Sequence, residues 1–314
     1  MSYTIGIDVG GTKIAGGIVD SEGKIVSRVR RSAPAQDSDL MLAAIAEVII
    51  ELSAQQVTTG VGIALAGFMD KERNRMRLSP NVAWRDIEIR SAIESKVDKP
   101  VIIENDANAA AWGEFRFGGG AEADSMVMLT IGTGLGSGVI IDGRLLIGAY
   151  GIGAECGHFK VKPDGQLCGC GQRGCLEQYA SGQAITRNAR VFVASGTPAA
   201  QPLLDACGQD PTTLTGAMVT ETAQKGDPAS ISILAEAGKW LGFGMSTIAA
   251  ILDPEMFVVG GGGGDAGELI LAPARVEFEL KLPAREHRPI AKITAATLGN
   301  DAGIIGAADL ARKL

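Results

Sequence analysis

Two short stretches of this 314-residue chain repeat each other at a constant offset, and that repetition limits the fold more than any other feature. Ile7-Asp8-Val9-Gly10-Gly11-Thr12, with the strand that follows to Asp20, lies over Leu129-Thr130-Ile131-Gly132-Thr133-Gly134 and its strand to Asp142. Gly10/Gly132, Gly16/Gly138, Ile18/Ile140 and Asp20/Asp142 coincide, while Val9/Ile131 and Val19/Ile141 match in type. Glycine-rich β-turns look alike in themselves. Each of these stands at the head of an α/β half, however, so the pair predicts a duplicated domain. The length agrees, because single hydrophobic cores stop growing near ~250–300 residues.

The pattern around the repeats is that of alternating strands and helices. Tyr3–Val9, Ile14–Val19 and Lys24–Val29 read as strands joined by Gly-containing turns. Met41, Ile45, Val48 and Leu52 fall on one face of a helix opened by the capping pair Ser38/Asp39. Gly60–Ala66 reads as a strand, Ile87–Lys96 as a helix and Val101–Ile103 as a strand. The theme returns with strands near 126–131, 137–141 and 255–259 and helices at 230–252 and 303–313. This alternation predicts an α/β fold with mixed sheets. Residues 195–215 lack periodicity and read as a surface excursion, and no low-complexity linker separates the halves.

Charge and composition exclude several functions. With 29 Lys+Arg against 36 Asp+Glu the net charge is -7 and no long basic run occurs, which argues against nucleic-acid or anionic-membrane partners. The longest uncharged stretch, Ser125 to Ile141, is too short and too broken by glycine to span a bilayer. The first strand begins within a few residues of Met1, leaving no room for a signal peptide, so a cytoplasmic location is expected. Four of the five cysteines crowd between 156 and 175, which suits a reduced compartment better than a disulfide scaffold. Glycine reaches 43 residues, close to twice the usual ~7%, and clusters where backbone must approach a ligand.

The Gly/Thr turns are candidate anion sites, because several backbone N–H groups and a hydroxyl converge in one concavity. Lys13 adds a positive charge, and Asp8 adds a carboxylate able to hold Mg²⁺ directly or through water. The plainer alternative is a solvated Asp8/Lys13 pair beside an ordinary hairpin. No Walker A sequence occurs. Gly262-Gly263-Gly264-Asp265-Ala266-Gly267 fits a dinucleotide fingerprint after the strand Met256–Val259, but a lone match inside a five-glycine run is weak. That run, with Gly260, Gly261 and Gly262, equally suits the base and ribose of ATP.

His158, Cys168, Cys170 and Cys175 form a Cys₃His set within eighteen residues of a Gly/Pro-rich loop. Buried free thiols are a poor account of three cysteines in eight residues. Four protein ligands close the coordination shell, so the expected Zn²⁺ is structural. Cys156 is an alternative ligand to His158 but reads better as a small core residue, and Cys207 points to nothing.

Val101-Ile102-Ile103-Glu104-Asn105-Asp106-Ala107-Asn108 runs from a buried strand into an Ala-rich helix, and the turn holds Asn105 and Asp106 at the top of the sheet. Either residue also suits a helix N-cap. With these residues in place the chain resembles the ROK family of sugar kinases and repressors, most closely its bacterial glucokinases. The resemblance covers essentially the whole length. It rests on Asp8-Val9-Gly10-Gly11-Thr12-Lys13, Glu104-Asn105-Asp106-Ala107-Asn108 and Ile131-Gly132-Thr133-Gly134-Leu135-Gly136. Glu155-Cys156-Gly157-His158, followed by Cys168-Gly169-Cys170-Gly171-Gln172-Arg173-Gly174-Cys175-Leu176-Glu177, is its most specific part.

The resemblance implies a two-domain actin-like ATPase fold, a duplicated ribonuclease H-like unit. Its smaller domain would span 1–115 plus 300–314, its larger one 116–299 with the zinc loop. It implies that Asp106 is the catalytic base and that Asn105, Glu155, His158 and Glu177 bind sugar hydroxyls, with Gly67 and Asn81 lining the pocket. ATP then falls to Asp8, Gly10, Gly11, Thr12, Lys13, Gly132, Thr133, Gly134 and Gly260–Gly262, with Mg²⁺, and Zn²⁺ to the Cys₃His set. Phosphoryl transfer needs positioning, charge neutralisation and one proton acceptor, for which a carboxylate of ordinary pKa suffices. The leading expectation is an ATP-dependent glucokinase making glucose 6-phosphate, assembled as a dimer or tetramer. The alternatives are another ROK hexose or N-acetylhexosamine kinase, or a polyphosphate-using one. A sugar-sensing repressor fits less well, because the chain starts at a strand with no N-terminal helix-turn-helix and keeps Asp106.

Overall fold

The computed structural model describes residues 2–80 and 82–313. The first sheet contains β1 (Thr4–Val9), β2 (Lys13–Val19), β3 (Ile25–Ser32), β4 (Val61–Leu65) and β8 (Val101–Asn105). A small sheet, β5 (Phe68–Met69), β6 (Met76–Leu78) and β7 (Arg85–Ile87), lies between β4 and β8 in the chain. The second large sheet contains β9 (Met126–Ile131), β10 (Leu135–Ile141), β11 (Arg144–Leu145), β12 (Met256–Gly260) and β13 (Lys292–Ala295). The strand orders are β3-β2-β1-β4-β8 and β11-β10-β9-β12-β13. The two sheets share one topology, with the repeated Gly/Thr turns in equivalent places. In each, the parallel strands follow the turn-bearing hairpin outward.

The chain forms two compact units. The first holds the residues up to Ser125, Gly138–Ala154 and the residues from Thr297 on; the second holds Met126–Ser137 and Glu155–Ala296. The first unit therefore takes in 116–125 and 138–154, which the boundaries expected above give to the other domain. Local bonds explain this. The N–H groups of Gly118 and Gly120 both donate to the Glu114 carbonyl, and Gly143 N–H donates to the Asp124 carbonyl at 2.8 Å.

In the first unit, helix α1 (Ser38–Gln55) buries Met41, Ile45, Val48 and Leu52 completely against the sheet. Each such burial is worth about 1.5–3 kcal/mol. Its cap is Asp37, whose Oδ1 accepts from Asp39 N–H at 3.0 Å and Leu40 N–H at 2.9 Å, one residue earlier than the Ser38/Asp39 reading. Helix α2 is only Ile89–Glu94, because Arg85–Ile87 pairs with β6 instead. Helix α3 (Asp106–Phe117) follows β8 directly.

The C-terminal helix Ala302–Leu310 packs on β1, β4 and α3 at backbone distance. A Cβ on Gly6 would fall 1.9 Å from the Ile304 carbonyl oxygen, and one on Gly62 would fall 1.8 Å from that of Ala307. Only glycine fits such an approach. Asp309, 3% exposed, then accepts from Trp112 Nε1 at 2.8 Å and Arg116 Nη1 at 3.1 Å.

The second unit adds α4 (Glu177–Ala180), α5 (Gly182–Ala194), α6 (Gln201–Ala206), α7 (Gly216–Gln224), α8 (Pro228–Leu252) and α9 (Glu268–Lys281). Residues 195–215 are thus partly helical, and Ala200, Leu203 and Leu214 bury fully there. Among the described residues no helix is long and apolar enough to cross a membrane.

Candidate active site

In the first unit the parallel strands place three chain ends side by side. Asp8 pairs with Ala64 and Ala64 with Glu104, so Val9, Leu65 and Asn105 end β1, β4 and β8 in register. Beyond that edge lie Gly10–Lys13, Gly67 and Asp106. The Gly10 N–H donates to the Lys13 carbonyl at 2.9 Å, which closes a tight turn with Thr12 and Lys13 exposed. Gly67 has φ +144°, and a Cβ there would fall 2.5 Å from the Leu78 carbonyl oxygen. Asn81 lies outside the described residues.

Asn105 is the N-cap of α3. Its Oδ1 accepts from Ala107 N–H at 2.9 Å and Asn108 N–H at 3.1 Å, and its Nδ2 donates to the Gly67 carbonyl at 3.3 Å. Capping falls to Asn105, and Asp106 becomes the first helical residue. Burial pushes the Asp106 carboxyl above the usual carboxylate range, although the Ala107 N–H, 2.9 Å from Oδ1, works against the rise. A carboxylate of ordinary pKa would suffice for the transfer, and burial gives this one a higher value. Burial also pushes Asp8 up to about 6, the Asp106 charge adds to this and Lys13 offsets part of it. Asp8, Lys13 and Asp106 therefore share one electrostatic neighbourhood.

The second unit builds its turn in the same way. Gly132 N–H donates to the Gly134 carbonyl at 3.0 Å, and the first N–H groups of α5, from Gly182 and Gln183, donate to the carbonyls of Gly132 and Thr133. Across from this turn the five-glycine run lies over the end of β9. Gly261 has φ +82° and a Cβ there would fall 2.6 Å from the Ile131 carbonyl oxygen. Gly132, Thr133 and Gly262 line a cavity of about 960 Å³, closed by α5, α7 and Asp265. Gly260 sits inside β12 and Gly134 faces Glu177, so neither lines it. Sequence reading missed Gln183, Thr186, Arg187 and Thr220 on the cavity wall. The amphipathic repeat of α5 was the signal available for the first three, and Thr220 lies on α7.

Glu177 meets the same turn from the other side. Its Oε2 accepts from Leu135 N–H at 3.0 Å, and a Cβ on Gly134 would fall 2.3 Å from that oxygen. Its Oε1 is 3.4 Å from Cys168 Sγ. Here begins a group of possible metal ligands: the ligand atoms of His158, Cys168, Cys170 and Cys175 all lie within 4.8 Å of one another. Cys170 and Cys175 Sγ are 3.6 Å apart, as are Cys168 Sγ and His158 Nδ1. A zinc ion held tetrahedrally at ~2.3 Å from sulfur separates its sulfurs by about 3.8 Å, so this donor set fits the ion. Within the loop the Cys168 N–H donates to the Gln172 carbonyl at 2.8 Å and the Gly171 N–H to the Cys168 carbonyl at 3.0 Å. Glu155 precedes the short 3₁₀ turn Cys156–His158, and its carbonyl accepts from His158 N–H at 3.0 Å. Cys156 is half-buried, with its N–H on Ser137 Oγ at 2.9 Å.

Comparison with known proteins supplies the context. The glucokinase of Streptomyces coelicolor is 42% identical over 314 residues, covering 100% of this chain and 98% of that one. The glucokinase of Thermotoga maritima is 35% identical, covering 98% and 97%. Among solved structures, a ROK family glucokinase from Streptomyces griseus in complex with glucose and AMPPNP superposes with a TM-score of 0.90 at 43% identity, covering all of both chains. The duplicated sheets are those of the actin-like ATPase fold. The ROK family profile spans residues 4–314, the in-register turns and the Cys/His loop alike, and the chain belongs to the ROK family.

Proposed function

We propose that this protein is an ATP-dependent glucokinase, moving the γ-phosphoryl group of ATP to the 6-hydroxyl of glucose. The observation that carries the reading is the position of Asp106, a half-buried carboxyl at the first residue of α3 on the strand-end edge that also bears Asp8 and Lys13. As the sugar's 6-oxygen bonds to the γ-phosphorus and the bond to ADP breaks, the hydroxyl proton passes to Asp106. A raised pKa makes the ionised carboxylate a stronger acceptor than an exposed one. The full-length match to glucokinases supports glucose as the acceptor.

The roles of Asn105 and His158 follow from unused bonding capacity. Asn105 spends its oxygen on the helix cap and offers an N–H to the sugar. His158 turns Nδ1 to the sulfurs, which leaves Nε2 for a hydroxyl. Glu155, Glu177, Gly67 and Asn81 complete the sugar contacts, and a wrong epimer leaves some of these groups unpaired. Gly10–Lys13, Gly132 and Thr133 hold the phosphates, while Gly262 borders the base and ribose. Asp8 would hold Mg²⁺, which neutralises phosphate charge when bound. Zn²⁺ in the Cys₃His set is structural. A cytoplasmic dimer or tetramer belongs to the same reading.

ADP release by the purified protein, measured with glucose, mannose, fructose, N-acetylglucosamine and N-acetylmannosamine, tests it. Glucose is expected to have the highest kcat/KM. A tenfold preference for N-acetylmannosamine would overturn the substrate and leave the fold untouched.

A further inference from the structure

Arg73 and Glu104 form a buried ion pair that no step above uses. Both belong to the first unit and are 6% and 5% exposed. Arg73 Nε donates to Glu104 Oε2 at 3.0 Å, and Nη2 lies 2.7 Å from Oε1. The third nitrogen, Nη1, donates to the carbonyls of Gly151 at 2.8 Å and Asp70 at 3.2 Å. Arg73 reaches these partners from a left-handed backbone, φ +54°, between β5 and β6, a conformation that non-glycine residues disfavour.

Stability alone does not account for such a pair. Desolvating two charges offsets most of their attraction, and packed apolar residues of equal volume hold a core as well. What the pair supplies is geometry. Glu104 Oε1 also accepts from the Asn105 N–H at 2.8 Å and from Asn108 Nδ2 at 3.0 Å. These bonds fix the peptide between Glu104 and Asn105 and the first turn of α3, and so the direction in which Asn105 and Asp106 leave the sheet. At its other end Arg73 holds the Gly151 carbonyl, in a glycine-rich loop four residues ahead of Glu155 in the chain. That loop is seated closely on the hairpin: a Cβ on Gly151 would fall 2.5 Å from the Asp70 carbonyl carbon.

We propose that Arg73 and Glu104 are positioning residues for the phosphoryl transfer, a two-point clamp that aims Asp106 at the sugar hydroxyl and holds the 148–152 loop. The proposal rests on reading Asp106 as the base. A proton acceptor displaced by about 1 Å loses up to ~10²-fold in rate, so the clamp acts on kcat more than on binding.

The test combines thermal unfolding with steady-state kinetics on glucose and ATP for Arg73→Met, Arg73→Lys and the double variant Arg73→Met/Glu104→Gln, each with and without Asp106→Asn. Arg73→Met strands a buried charge and lowers both Tm and kcat, the latter by about 10–100-fold. Adding Glu104→Gln removes that charge and keeps an oxygen for the Asn105 N–H, so Tm returns while kcat stays at least ~tenfold down. Arg73→Lys keeps the charge without the fork and falls between. In the double variant Asp106→Asn costs at least ~tenfold less than in the wild type, because the base is already displaced. Recovery of kcat together with Tm, or an equal Asp106→Asn cost in both backgrounds, makes the pair purely structural and overturns the proposal. Should Arg73→Met not fold, the double variant and Arg73→Lys decide by the same criteria. A wild-type background in which Asp106→Asn keeps more than a tenth of kcat overturns the reading of Asp106 and this proposal with it. A full Asp106 effect with undisturbed Arg73 variants overturns the proposal alone.

Discussion

Two neighbouring carboxyls, Asp8 and Asp106, stand out at the residue scale because burial raises both. Removing a general base costs ~10²–10⁴ in rate, so Asp106→Asn is expected to lower kcat at least a hundredfold while sugar KM changes little. Steady-state kinetics on folded protein checks this, and the acid limb of wild-type kcat should bend above the usual carboxylate range. Asp8 makes a prediction about stability. Its folded pKa, about 6, exceeds the 3.8 of an ordinary aspartate, so the folded state binds the proton more tightly than the unfolded one. Ionising Asp8 therefore weakens the fold at pH above about 6, and the penalty fades as pH falls towards 4. Asp8→Asn is expected to raise Tm at pH 7.5 and to lose that gain near pH 4, measured without nucleotide or divalent cation. Asp106 and Asn105 were legible in the sequence because a strand-to-helix turn announces itself. Arg73 was not, since a charged residue on a short hairpin reads as solvated until its burial is known.

Glycine decides the closest contacts between elements. Gly62 on β4 faces the backbone of the C-terminal helix, and the Ala307 oxygen cannot yield as a flexible side chain would. Gly62→Ala is expected to cost about 3 kcal/mol or more, a drop of about 6–12 °C in Tm. Gly132→Ala, whose methyl meets nothing within 4 Å, should leave Tm unchanged, and parallel thermal melts compare the two. The metal loop is a second case. About one Zn²⁺ per chain is expected, and chelation or Cys175→Ser should lower Tm, because the ion's binding energy is folding energy. Metal analysis finding no zinc in fully active protein would contradict this. Long helices with strong patterns, such as α1 and α8, were readable. The two- and three-residue strands of the small sheet carry too few positions for any period, and α5 and α7 were passed over beside the stronger Gly and Cys signals.

For the whole molecule, the repeat of Gly10/Gly132 and Gly16/Gly138 announced two sheets of one topology, and strand orders agree with it. The division of the chain was less readable, because 138–154 returns to the first unit by backbone bonds that leave no pattern in composition. The first unit is also interrupted: between its residues up to Ser125 and those from Thr297 on, all of the second unit is threaded. Gly6 and Gly62 wait for Ile304 and Ala307, and Trp112 waits for Asp309. On a ribosome adding ~5–20 residues per second, the intervening chain takes roughly 9–34 s to emerge. During that interval the nascent first sheet has one face bare, so the second unit completes its core before the first, and the earliest strands made are the last to be covered.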